Sequence, residues 1–257
     1  MTISVCLLCY GDFPELARRC LGSIVPHVDP RHVADVRVGL NAVSPATEEY
    51  VLVTLDSLPV PVRVIQCHEN RLKYPVMRRL FRRWPLEAPL IMWFDDDSYI
   101  REHVSSDWMA TLPERMGRAA MLGQRYRLRR PLTPAQQDWV RQQSWYTGRS
   151  LDQPPRFITG GWWVIRSDVV LKHDWPPPCA RHCGGDYTLG VLLDQQRLEV
   201  VNVPGYVAVN KERRRGENHA LHLHLGGPQC RTPVDPFPCR VLSKCPGDDW
   251  YDANETL

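Results

Sequence analysis

The stretch from Leu90 to Ile100 reads LIMWFDDDSYI. Its apolar run follows Pro89 and predicts a buried β-strand, and three consecutive aspartates come directly after it. Three carboxylates cannot all stay ionised in a dry core, so we expect them at the mouth of the strand, where Mg²⁺ or Mn²⁺ suits hard oxygen ligands. Three solvated loop acids are the alternative, but the buried strand before them favours a ligand site.

The segment before this stretch alternates predicted strands and helices. Strands are predicted over Thr2–Cys9, Val33–Val43 and Val60–Cys67, and helices begin near Pro14 and at Ser44. This order predicts an α/β fold with a mostly parallel central sheet, flanked by helices and joined by right-handed crossovers. The segment 9–12 carries a single glycine, which argues against the phosphate-binding loop of a dehydrogenase.

Length and charge set further bounds. The chain has 257 residues, enough for one large α/β domain, and its net charge of +3 excludes a global polyelectrolyte. No apolar run is long enough to span a bilayer, and the first strand begins too early to leave room for a signal peptide. We therefore expect a soluble, cytoplasmic protein.

Two later stretches carry candidate functional residues. The paired glycines Gly160 and Gly161 precede an apolar run and let the backbone approach a ligand closely. Trp162 and Trp163 alternate after them, so we expect one in the core and one in a cleft; the alternative is that both are core residues. Asp186 begins a predicted helix and, taken alone, reads as its N-cap.

The order of these motifs, ending in a late His-x-His, resembles that of GT-A glycosyltransferases with their DxD motif. The chain looks like a member of glycosyltransferase family 2 or a close relative, over residues 2–225. The resemblance implies a single GT-A (Rossmann-like) domain over 1–257. Its parts would be a nucleotide-sugar-binding half (1–100), an acceptor-binding and catalytic half (101–225) and an irregular tail (226–257).

The resemblance also implies roles for individual residues. Asp97 is expected to hold Mn²⁺ or Mg²⁺ on the diphosphate of a nucleotide-sugar, with a UDP-sugar favoured, and His222 or His224 to complete the metal shell. Asp186 is expected to be the catalytic base of an inverting displacement, although Gly185 replaces the glutamate usual in the family. The expected donor-binding residues are Tyr10, Asn41, Arg71, Lys73, Asp95, Asp96, Gly160 and Gly161.

The acceptor side is expected to include an irregular insertion over 124–155, which combines six arginines with interleaved aromatic residues. Such a combination is typical of nucleic-acid binding, so the hypothesis is a polyanionic acceptor and specifically a hydroxylated base in DNA. A saccharide or protein acceptor is the alternative. The predicted acceptor-binding residues are Trp145, Trp162, Trp163, Arg127 and Arg129.

Two other classes of protein stay open at this point. A nucleotidyltransferase also holds metal on strand-end carboxylates but needs a triphosphate substrate. A binding module that kept the fold would bind nucleotide without turning it over.

Nine cysteines fall into two groups. Cys6, Cys9, Cys20 and Cys67 lie in apolar segments and are predicted to be buried free thiols. The others lie in stretches rich in proline and glycine: Cys179, Cys183, Cys230, Cys239 and Cys245. A zinc site that also uses His182 is the alternative, but the spacing is not typical of zinc, so free thiols are predicted here too.

Overall fold

The computed structural model describes residues 1–182, 184–209, 239–246 and 251–252. The strands are β1 (Ile3–Tyr10), β2 (Val33–Asn41), β3 (Val62–Cys67), β4 (Leu90–Asp95), β5 (Tyr99–Ile100), β6 (Met121–Arg127), β7 (Arg156–Arg166), β8 (Val200–Asn202), β9 (Val207–Ala208), β10 (Arg240–Lys244) and β11 (Tyr251–Asp252). The α-helices are α1 (Pro14–Ile24), α2 (Pro45–Asp56), α3 (Lys73–Arg82), α4 (Trp108–Met116), α5 (Pro134–Arg141), α6 (Ser167–Lys172) and α7 (Gly185–Gln195). None of the helices described is long and apolar enough to cross a bilayer.

One nine-stranded sheet organises the fold, in the order β11-β10-β3-β2-β1-β4-β7-β6-β8. Neighbours from β3 through β2 and β1 to β4 are parallel, whereas β7 runs antiparallel to both β4 and β6. The predicted α/β class with a mostly parallel central sheet is confirmed. Because β1 is buried on both faces, it reads as a nearly continuous apolar run. Strand β2 is also buried but alternates apolar residues with Asp35 and Arg37, which form a buried ion pair at 2.8 Å.

Helices cover both faces of the sheet and so define two apolar cores. One core lies under α1, α2 and α4, and the other lies under α3, α6 and α7. Helix α3 turns Val76, Met77, Leu80 and Phe81 toward the sheet at helical spacing. Helix α2 begins where predicted, with the Ser44 hydroxyl accepting from the Thr47 amide at 3.4 Å.

The two tryptophans of β7 occupy opposite cores. Trp162 is 1% exposed and Trp163 is 2% exposed, because each face of the strand is covered. Trp163 stacks on Trp93 of β4, with the ring centroids 5.8 Å apart. The expectation that one of the pair faces a cleft, and with it their assignment to acceptor binding, is therefore wrong.

The end of the chain returns to the sheet. Strand β10 pairs antiparallel with β3 and brings Cys239 opposite the end of that strand, where it forms a disulfide with Cys67. The prediction of free thiols is thus wrong for both cysteines, and the predicted irregular tail contains a strand. Cys6, Cys9 and Cys20 are buried and form no disulfide with a described cysteine, as predicted, and burial raises the pKa of the Cys6 thiol to about 12.

The insertion over 124–155 contains a helix that begins at the Thr133-Pro134 pair, as the sequence predicts. Strand β6 continues to Arg127, and α5 begins after Thr133, which forms a capping box with Gln136. Trp145 is 6% exposed and packs edge-on against Trp139, with the ring centroids 6.3 Å apart. Its assignment as an acceptor-stacking residue is wrong, because its ring belongs to the core.

Candidate active site

The candidate site lies at the carboxyl ends of β1, β2 and β4, where parallel strands place their loops at one edge of the sheet. The aspartate triplet begins at this edge. A turn closed by the Ser98 amide, which donates to the Asp95 carbonyl at 2.9 Å, sends the three side chains in different directions.

The three acids therefore have different surroundings. Asp95 accepts from the indole Nε1 of Trp93 at 2.9 Å through one carboxylate oxygen. Asp96 is 1% exposed and accepts from the amide of Tyr10 at 2.9 Å, which joins the ends of β1 and β4. The expectation that Asp96 contacts the donor is wrong, because its carboxylate is buried between strands. Asp97 is 8% exposed at the same edge.

Lys73, the first residue of α3, connects the other components of the site. Its ammonium donates to Oδ2 of Asp95 at 2.6 Å and to the carbonyl of Gly160 at 2.7 Å. The ammonium also lies 5.8 Å from the centroid of the Trp93 ring. Lys73 therefore ties α3 to β4 and β7 at the mouth of the sheet.

Asp186 reaches the same point from α7. A Cβ placed on Gly160 would lie 3.1 Å from the Lys73 ammonium and 3.5 Å from Oδ2 of Asp186, so the absent side chain leaves room for both groups. The N-cap of α7 is Gly184 in a left-handed conformation, and Asp186 is the second helical residue. Its Oδ1 accepts from the Tyr187 amide at 3.0 Å.

Burial raises the pKa of Asp186 above the ordinary value of an aspartate, since it disfavours the charged form. The positive charge of Lys73 and the hydrogen bond from Tyr187 act in the opposite direction, while the negative charge of Asp95 adds to the increase. A carboxylate with a raised pKa that lies beside an ammonium at a cleft is a typical general base.

Tyr74 explains the glycine at position 185, beside Asp186. A Cβ on Gly185 would lie 2.1 Å from the Tyr74 ring, so that ring fills the space in which a glutamate at position 185 would begin. Tyr74 is 3% exposed and packs edge-on against Trp175, with the centroids 6.1 Å apart. The departure from the family pattern is thus compensated by an aromatic residue of α3.

A second group of polar residues lies at the ends of β1 and β2. The Asn41 amide donates to Oδ1 of Asn70 at 3.1 Å, and its oxygen accepts from the Arg71 amide at 2.8 Å. Asn70 in turn donates to the hydroxyl of Tyr10 at 3.1 Å. Asn41 is fully buried, so its assignment to direct donor contact is wrong; it positions the loop that carries Asn70 and Arg71.

The remaining predicted residues are distributed as follows. Arg71 pairs with Glu69 at 2.8 Å beside this loop. Gly161 is buried next to Gly160, whereas Arg127 and Arg129 are exposed on the insertion. His222 and His224 lie outside the described residues.

The chemistry of the acids fits a divalent cation. Mg²⁺ and Mn²⁺ are commonly held by one or two carboxylates together with substrate phosphates. Asp95 accepts from Lys73 and Trp93, and Asp96 accepts from the Tyr10 amide. Asp97 is the acid that the resemblance assigns to metal. No group of three or more metal-binding side chains occurs among the described residues. Within that part of the chain, neither the expected Mn²⁺ or Mg²⁺ nor the alternative zinc ion has a full set of protein ligands.

Solved structures with the same architecture are glycosyltransferases. Residues 1–349 of S. aureus TarS align with a TM-score of 0.53 and 16% identity, over 82% of this chain and 60% of that one. The mannosyltransferase PcManGT from Pyrobaculum calidifontis, in complex with GDP-Man and Mn²⁺, gives 0.54 and 11% identity, over 79% and 54%. GalNAc-T7, with UDP, GalNAc and Mn²⁺, gives 0.56 and 13%, over 81% and 43%.

The chain has the GT-A fold. It spans between 43% and 60% of the length of these three solved chains, and its sequence matches no protein-family profile. The predicted resemblance to GT-A enzymes is thereby confirmed at the level of the fold.

Sequence reasoning missed Asn70 and Tyr74 as parts of the site. Asn70 follows the third strand of a parallel sheet, and this position is a signal that could have drawn attention to it. Tyr74 had no comparable signal, because its role depends on the absent side chain at Gly185 on a distant helix.

Proposed function

We propose that this protein is a metal-dependent glycosyltransferase of the family 2 type, which transfers a sugar from a nucleotide-sugar to an acceptor hydroxyl with inversion. The observation that carries the proposal is the convergence of Lys73, Asp95 and Asp186 around the bare backbone of Gly160. In this assignment residues 1–100 bind mainly the donor, and residues 101–225 bind the acceptor and supply the base.

The donor would lie along the carboxyl edge of the sheet. Tyr10 and Asn70 form a polar pair in and beside the loop that carries Arg71, and we assign the nucleoside to this pair. Asp97 would hold Mn²⁺ or Mg²⁺ against the diphosphate, and the cation would neutralise charge on the departing nucleoside diphosphate. A UDP-sugar is the favoured donor, since TarS and GalNAc-T7 have both been solved with UDP.

Displacement at the anomeric carbon then needs a base for the acceptor hydroxyl and a group that positions the donor sugar. The acceptor oxygen forms a bond to the anomeric carbon, the bond to the diphosphate oxygen breaks, and the acceptor proton passes to Asp186. Lys73 holds Asp95 at the donor-sugar side and favours the ionised form of Asp186. A single displacement from the face opposite the leaving group inverts the configuration.

A polyanion is the acceptor class that we propose, with a hydroxylated base in DNA as the specific candidate. Arg127 and Arg129 are exposed on the insertion and supply positive charge for a polyanion. Trp145 is buried, so it does not supply a ring on which a base stacks. Binding of single-stranded and double-stranded DNA should weaken steeply with salt; no binding at low salt would return a saccharide or protein to first place.

The test of the function is a screen of nucleotide-sugars for hydrolysis, in which water replaces the acceptor. We expect turnover of a UDP-sugar with Mn²⁺ or Mg²⁺ and none in excess chelator. Turnover of nucleoside triphosphates instead would identify a nucleotidyltransferase. Binding of UDP without any turnover or transfer would identify a non-catalytic module.

A further inference from the structure

A cleft of about 610 Å³ lies between the outer ends of β6 and β7 and helix α7. Arginine and apolar side chains both line it: Arg125, Arg127, Arg156, Leu132, Ile158 and Val191. The three arginines are solvent-exposed, so a ligand that enters the cleft can reach them.

The three arginines are arranged by the pairing of the two strands. Arg125 and Arg127 are two residues apart on β6 and share one face, and Arg127 lies directly opposite Arg156 on β7. Tyr126 and Phe157 stack on the other face, with centroids 6.1 Å apart. Like charges directly opposite on a strand pair are destabilising, so this arrangement costs stability unless an anion lies between them.

The protein supplies little negative charge to the cleft. None of the three guanidinium groups forms an ion pair within the part of the chain that is described. Of the two acids in the lining, Asp194 lies 3.5 Å from Arg149, and Glu199 is exposed and makes no ion pair with a described residue. Three positive charges therefore face a single acid that is not already paired.

The helix that carries the proposed base also lines the cleft. Gly190 is a lining residue and lies four residues, about 6 Å along the axis, after Asp186. A Cβ on Gly190 would lie 2.2 Å from the carbonyl oxygen of Arg156, so α7 contacts the β7 backbone directly at this point. The cleft and the proposed base thus share helix α7.

We infer that this cleft binds a phosphate group carried by the acceptor. Guanidinium groups match phosphate with paired hydrogen bonds. Three positive charges complement a multiply charged phosphate better than they complement a singly charged carboxylate. The inference rests on the proposed function for the word acceptor, whereas the binding of phosphate stands on the cleft alone. The phosphate can belong to a nucleic-acid backbone or to a phosphorylated sugar.

The test is a titration with inorganic phosphate in excess chelator, followed by phosphorus NMR. The double variant Arg127→Ala with Arg156→Ala should weaken binding at least tenfold. Because the substitutions remove a repulsion between strands, its melting temperature should stay equal or rise. The control pair, Arg101→Ala with Arg118→Ala, removes the same charge from exposed positions outside the cleft and should change binding less than twofold.

Equal losses in both double variants, or undiminished binding in the cleft variant, would overturn the inference. Competition against phosphate by a dinucleotide or by glucose 6-phosphate identifies the source, and failure of both would show that no acceptor phosphate uses the cleft. Donor hydrolysis without phosphate binding would exclude the cleft as a phosphate site and leave the proposed function intact. Phosphate binding by a protein that turns over no nucleotide-sugar would do the reverse.

Discussion

The ammonium of Lys73 lies 2.6 Å from Oδ2 of Asp95, and this ion pair closes the space between the aspartate triplet and Asp186. The pair is nearly out of solvent, with the side chains 11% and 16% exposed, so it is screened far less than a surface pair. Lys73 thus has two effects in the site: it fixes the first acid of the triplet, and its charge favours the ionised form of Asp186.

Replacement of Lys73 by methionine should move the acidic limb of donor hydrolysis to higher pH. The proposed base works only when ionised, so the rate falls as the pH drops through the pKa of Asp186, which burial already raises. Loss of the ammonium removes a charge that lowers this pKa and leaves the negative charge of Asp95, which raises it. The measurement is kcat/KM against pH.

Lys172→Met is the matched control for this profile. Lys172 is exposed at the end of α6, so the same change of charge there should leave the acidic limb in place. An unchanged limb in Lys73→Met would show that Asp186 does not govern the pH dependence.

Asp186→Asn should lower turnover by about 10²–10⁴-fold, the usual contribution of a positioned base. Donor affinity should stay within a few-fold, because the interaction is lost in the transition state and not in the bound donor. Calorimetric titration with UDP and Mn²⁺ measures the affinity. Near-normal turnover would reduce Asp186 to the residue that caps the Tyr187 amide.

Asp97→Asn should weaken the apparent affinity for Mn²⁺ by at least about tenfold, since even damage to the surroundings of a ligand has effects of this size. Asp96→Asn serves as the comparison, because its carboxylate is directed at the Tyr10 amide between β1 and β4. That variant should lose stability more than metal affinity. If the two variants have the same metal titration as the native protein, neither acid is a ligand.

The sequence predicted the parallel part of the fold because the signals there are local. The apolar run that ends at Phe94 and the start of α2 at Ser44 follow from signals within a few residues. Strand β10 had no such signal. Its partner is β3, and the disulfide that accompanies it joins Cys67 to a cysteine 172 residues away, so only the folded chain shows the pairing.

The candidate site was predictable in its residue types and less so in its contacts. The resemblance to GT-A enzymes pointed to the acids, Lys73 and the glycine pair, and the structure brings Lys73, Asp95 and Gly160 together. Alternation assigned Trp162 and Trp163 to opposite faces but could not tell that helices cover both. Contact between Tyr74 and the bare Gly185 depends on two helices that are distant in sequence.

Gly190→Ala should destabilise the protein, whereas Gly22→Ala in α1 should not. A Cβ at position 190 would lie 2.2 Å from the Arg156 carbonyl, a backbone atom that cannot turn aside, so α7 and β7 must separate. Overpacking of this kind costs about 1–3 kcal/mol.

Gly22 is the matched control because it is also a helical glycine, but its added Cβ would meet only the Tyr50 hydroxyl at 3.7 Å. Alanine at an exposed helical position is favoured over glycine by roughly 0.5–1 kcal/mol, so the Gly22 variant should be slightly more stable. Urea unfolding of both variants gives the comparison. The loss in Gly190→Ala should be accompanied by reduced donor hydrolysis, because the same helix carries Asp186. A Gly190 variant as stable as the native protein would show that α7 does not pack on β7 as closely as the structure places it.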